Sequence, residues 1–166
     1  MVPINRAGEY RKILVQMPEI AVNLIAEASA NKLRSVSDYD AKFSAQFMVA
    51  ACLHKGKLGL SELADDVLGD EAILNLAFKV EYEIDRQTGY PDYYSGGIII
   101  TTKDGIEHVH HERINRGASE RALSEAEITL NFLKMLFWRY REIEQNSFAM
   151  PCMHSIKTQH VNWRQI

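Results

Sequence analysis

Apolar positions along the chain change period twice. Near the N-terminus, YRKILVQM sets Ile13, Val15 and Met17 on one side and Lys12, Leu14 and Gln16 on the other until Pro18 closes the run, which predicts a strand. Residues 19–30 carry Ile20, Val22, Leu24 and Ile25 and read either as a short helix or as a connector. Over residues 37–60, SVSDYDAKFSAQFMVAACLHKGKL, the residues Phe43, Phe47, Ala50 and Ala51 recur at intervals of three and four. That spacing predicts one buried helix, opened by the acceptors Ser37, Asp38 and Asp40 and ended at Gly56, where a left-handed cap belongs. Its first turn is polar for so apolar a helix, with Lys42 and Ser44 on either side of Phe43. Two short helices follow, over 60–67 opened by Ser61 and over 70–78 opened by Asp70.

From residue 78 the period becomes two. FKVEYEID sends Phe78, Val80, Tyr82 and Ile84 inward and Lys79, Glu81, Glu83 and Asp85 outward, the pattern of a half-buried strand. A tyrosine- and glycine-rich loop over 86–97 leads to GIIITTKDGIEHVHHERI, where Lys103-Asp104-Gly105 between two β-prone runs predicts a hairpin. Ser124 and Glu127 form a capping box for a last helix with apolar Ile128, Leu133, Leu136, Phe137 and Tyr140, expected to pack on the same sheet. One strand before the helical block and three after it argue against a doubly wound sheet. The expected fold is α+β: a two-layer sandwich with a mainly antiparallel sheet of about four strands, covered on one face by helices. The other face is expected to be wet, or to meet something outside this chain. This domain is expected to fill residues 1–144, with a divergent, loosely held tail over 145–166.

Composition narrows the class of partner. With 46% hydrophobic and 25% charged residues the chain suits one soluble core, and a net charge of -3 gives no field that attracts nucleic acid or an acidic membrane. No run approaches the roughly 20 apolar residues of a membrane span, and the N-terminus lacks a signal-peptide core. Cys52 and Cys152 have neither disulfide-framework nor metal-ligand spacing, so a reducing, cytoplasmic setting is expected.

Candidate chemistry is sparse. His108 and His110 share a strand face and His111 adjoins them, but no cysteine or carboxylate joins them at ligand spacing, and solvated strand histidines are expected in place of a metal site. His54 suits the C-terminal dipole of the central helix. Asp65-Asp66 and Asp70-Glu71 fall at helix ends, where acidic residues interact with the helix dipole or are solvated. There is no phosphate-binding glycine loop and no GxSxG elbow. Tyr90, Tyr93 and Tyr94 either cover the sheet edge, the favoured reading, or close over a cleft.

The ordered series DAKFSAQFMVAACLHKGKLGLSEL, a short acidic helix, FKVEYEID, the hairpin, Arg116-Gly117 and LSEAE resembles the C-terminal, or lid, domain of the MmgE/PrpD family over roughly residues 9–132. That family includes 2-methylcitrate dehydratase, cis-aconitate decarboxylase and iminodisuccinate epimerase, which act on small polycarboxylic acids without a metal or organic cofactor. The resemblance implies an active site between this lid and a large helical domain whose histidine, aspartate and lysine residues are expected upstream of Met1. It places Lys42, Ser44, Gln46 and Phe47 at the substrate cleft. Lys42 would supply positive charge, Ser44 and Gln46 hydrogen bonds, and Phe47 stands where the family commonly has a substrate-facing tyrosine. Ala122 replaces a usual proline, and the run beyond Phe132 departs from the family. The expectation is a lid, inactive without its helical partner domain. The alternative is a non-catalytic binding module or homo-oligomer, whose exposed face a size measurement would find buried.

Overall fold

In the computed structural model, residues 7–27 and 34–147 are described. The first predicted strand, β1 (Tyr10–Met17), is an interior strand of a four-stranded sheet. It pairs in parallel with β2 (Val80–Ile84) and antiparallel with β3 (Gly96–Thr102), which in turn pairs antiparallel with β4 (Glu107–Glu112), giving the order β2-β1-β3-β4. The α+β expectation holds, with one parallel pairing in a mainly antiparallel sheet. A parallel neighbour requires a crossover, and the helical block between β1 and β2 supplies it. Ile13 lies opposite both Val80 and Ile100, so three strands bring one buried row to the helices. A register shift between Tyr10 and Lys12 lets Tyr10 face the same interior.

The helical block starts with α1 (Glu19–Ala21), which runs into a π-helix (Val22–Ala26) that buries Val22 and Ala26. The single helix expected over 37–60 is instead two, α2 (Asp38–Lys42) and α3 (Ala45–Lys55). Ser44 causes the break: its backbone is extended, φ -117° and ψ 104°, and its hydroxyl accepts the Phe47 N–H at 3.0 Å, so it caps a new helix. Ser37 caps α2 through the Asp40 N–H, and Gly56 ends α3 at φ 77°, both as expected. The helix expected over 60–67 is a 3-10 turn (Leu60–Leu63) followed by α4 (Asp65–Leu68). Ser61 does not open it, because its hydroxyl donates to the neighbouring Glu62 carboxylate at 2.8 Å. Asp70 does cap α5 (Glu71–Ala77), accepting the Ala72 N–H at 3.0 Å.

Tyr10, Ile13, Phe47, Ile73, Leu76 and Ile100 form the fully buried centre between sheet and helices, and Met17, Val22, Ala26 and Ala45 form a second cluster where β1 ends. The strand expected from residue 78 begins at Val80, since Phe78 terminates α5 and is 59% exposed. Tyr82 and Ile84 fall on the inner row opposite Val15 and Met17 yet stay partly exposed, because β2 is an edge strand. The outer face is polar where expected: Gln16 Nε2 donates to Glu83 Oε1 at 2.6 Å, and Lys12 lies 2.8 Å from Glu81. The hairpin turns through Gly105 at φ 87°, with the Thr102 N–H on the Ile106 carbonyl at 2.9 Å.

The chain divides into two compact units, residues 1–123 and 124–166. In the second, α6 (Glu125–Ser147) opens on the expected capping box: Glu127 Oε2 accepts the Ser124 N–H at 2.9 Å, and Ser124 Oγ accepts the Glu127 N–H at 3.3 Å. Of the tail expected over 145–166, residues 145–147 belong to α6 and the remainder lies outside the described residues. Among the described residues, no helix is long and apolar enough to cross a membrane.

Candidate functional site

The break between α2 and α3 assembles the four residues singled out from the sequence. Lys42, in the last turn of α2, sets its ammonium 2.6 Å from Asp38 Oδ2 on the surface, and that hydrogen bond holds the Asp38 carboxyl below its usual range. Beside it the Tyr39 and Phe43 rings pack at a tilt of 43° with centroids 4.9 Å apart, Tyr39 largely exposed. Ser44, Gln46 and Phe47 turn inward and are buried. Gln46 Nε2 donates to the Ala26 carbonyl at 2.7 Å, satisfying an acceptor at the end of the π-helix that would otherwise lose water without replacement. The Ser44 hydroxyl reaches Gln46 Oε1 at 3.5 Å. Phe47 packs in the main core. Lys42 therefore stands on the surface with its partner, while the other three hold the turn beneath it.

The β2–β3 connection builds a second feature at the same end of the sheet, where the Asp85 N–H bonds to the Met17 carbonyl. A cleft of about 790 Å³ is lined by Asp85, Gly89, Asp92, Tyr93, Ser95, His111 and Arg113, among others. Its loop is held internally. The Gln87 N–H bonds to Asp85 Oδ1 at 2.8 Å, the Gly89 N–H to the buried Ser95 Oγ at 2.8 Å, and the Tyr93 N–H to the Gly89 carbonyl at 2.9 Å. The Tyr93 hydroxyl donates to Glu120, which raises the Tyr93 pKa and lowers that of Glu120. His111 Nε2 lies 3.5 Å from Asp85 Oδ2, an arrangement that orients the imidazole.

Sequence reasoning found the tyrosine loop but not Asp85, Ser95, His111 and Arg113 as its neighbours. The available signal was Gly96-Gly97 ahead of a strand. A Cβ at Gly97 would stand 2.7 Å from Gln16 Oε1 and 2.9 Å from His111 Cδ2, so glycine is what lets these side chains cross the sheet. Of the other histidines, His110 Nε2 is 3.6 Å from Glu112, and His54 Nε2 is 3.9 Å from Asp70 in the last turn of α3. His108 and His110 lie opposite Ile100 and Ile98, whereas His111 is opposite Gly97 on the other face. Among the described residues, no group of three or more histidine, cysteine or acidic side chains could hold a metal ion.

Residues 4–150 match the family model for the MmgE/PrpD C-terminal domain. No curated protein matches the chain.

Proposed function

The chain belongs to the MmgE/PrpD family, matching its C-terminal domain, and from that premise we propose that it is the lid of a lyase or isomerase acting on small polycarboxylic acids by dehydration, decarboxylation or epimerisation. The family match across residues 4–150 carries this reading. Removing a proton beside a carboxylate, or expelling a β-substituent, needs a base, an acid and a cation that holds the substrate. The base and acid come from a helical partner domain, and the cation is Lys42. Its bond to Asp38 is an exposed pair of the kind that contributes little to stability, so a substrate carboxylate can displace it at small cost. Ser44 and Gln46 position the turn that carries Lys42, and Phe47 anchors it in the core. The reading requires no metal or organic cofactor, and the thiol spacing favours a cytoplasmic setting.

Turnover assays test it. The chain alone should leave 2-methylcitrate and cis-aconitate unchanged. Addition of the helical domain of a family member should give turnover that falls at least about tenfold with Lys42→Ala, the loss expected when a charge-assisted contact to substrate is removed. Turnover by the chain without any partner would overturn the proposal.

A further inference from the structure

The β2–β3 cleft holds two opposite charges that neither pair with each other nor find another partner among the described residues. Arg113 and Asp92 both line it, both are exposed, and neither has an ion-pair partner there. Elsewhere in the chain arginines that meet carboxylates close on them, as Arg34 does on Glu71 at 2.6 Å and Arg121 does on Glu112. The same cleft is also lined by the polar side chains of Asp85, Ser95 and His111. Asp85 and His111 face each other at 3.5 Å, and the buried Ser95 hydroxyl accepts the Gly89 N–H while retaining its own proton to donate. The loop carrying Asp92 is set in place before any ligand arrives. The Tyr93 hydroxyl on Glu120 and the Tyr94 N–H on Asn115 Oδ1 at 3.0 Å tie it to the segment after β4. Preorganisation of that kind removes part of the ordering cost of binding.

We infer that this cleft is a binding site for a free α-amino acid with a polar side chain, its carboxylate on Arg113 and its ammonium on Asp92. A guanidinium offers two parallel N–H donors to a carboxylate, and a carboxylate accepts from an ammonium, so a zwitterion satisfies both charges at once. A dicarboxylate would satisfy Arg113 and be repelled by Asp92, and a simple amine would do the reverse. The polar wall of Asp85, Ser95 and His111 receives the side chain. The site is separate from Lys42 and does not depend on the chain serving as a lid.

Amide-resolved NMR titration of the chain with L-glutamine, glutarate and propylamine tests this. L-Glutamine should shift the amides of Gly89, Ser95 and His111 saturably, with a midpoint near or below about 1 mM. Glutarate and propylamine should each bind at least about tenfold more weakly. Arg113→Gln and Asp92→Asn, both surface changes, should each weaken L-glutamine about tenfold while the rest of the spectrum stays in place. The inference is overturned if L-glutamine gives no saturable shift, if glutarate binds as tightly, or if either substitution leaves the midpoint unchanged.

Discussion

Ser44 has no accessible surface, and its hydroxyl is the acceptor that starts α3. The sequence puts it in the unusually polar first turn of one helix, not at the start of a second. Serine at any one position can lie inside a helix or cap it, and the choice here follows from Phe47 and Ala45 entering the core on the far side of the break. Removing the hydroxyl leaves the Phe47 N–H buried without an acceptor. Ser44→Ala should therefore destabilise the fold by about 1–2 kcal/mol, read from urea unfolding followed by circular dichroism. Lys42→Ala should leave the same curve within error, because its partner Asp38 is solvent-exposed. The contrast separates a residue that builds the turn from one that is free to meet a ligand.

Elements whose ends depend on adjacent residues were the most legible. Ser37, Gly56, Asp70 and the Ser124–Glu127 box all cap where their types and spacing suggest, since a cap needs only a side chain within reach of its own first or last turn. Residues 60–67 were less so, because Ser61 bonds to Glu62, whose side chain is buried and ion-paired to Lys57 at 3.2 Å. The cap of α5 carries a pH signature. Hydrogen bonds from Lys55, at 2.9 Å, and from the Ala72 N–H hold the Asp70 carboxyl below its ordinary value, with His54 contributing at 3.9 Å. A carboxyl whose folded-state pKa is depressed stabilises the fold above its unfolded pKa and ceases to do so as pH falls through the folded value. Asparagine retains the cap without the charge. Thermal melts should thus find Asp70→Asn less stable than the parent at pH 7, with the gap closing as pH drops below about 4. A gap that persisted unchanged at pH 3 would show that the ion pair contributes nothing.

Across the molecule, stability should follow the sheet order. β1 is hydrogen-bonded on both sides and contributes Tyr10 and Ile13 to the centre of the core, and β3 contributes Ile100. Among the described residues β2 and β4 are the two edge strands, with Tyr82, Ile84 and Val109 partly or largely exposed. Native-state hydrogen exchange should find the slowest amides in β1, the inner half of β3 and α3, with β2 and β4 exchanging earlier. Equal protection of β4 and β1 would contradict this ranking. The family, too, was legible, because an ordered series of short motifs survives along the chain even where single motifs are unspecific.

What the sequence by itself determined is what depends on near neighbours: the two periods, the caps at Ser37, Gly56, Asp70 and Ser124, the glycine at the hairpin turn and the order of strands and helices. Only the tertiary structure decided that β2 lies parallel beside β1, that Ser44 and Gln46 face inward while Lys42 does not, and that Asp85, Ser95, His111 and Arg113 line one cleft. Each of these rests on strand register and packing between segments far apart in the chain. A side chain's own type is compatible with either outcome until those partners are in place.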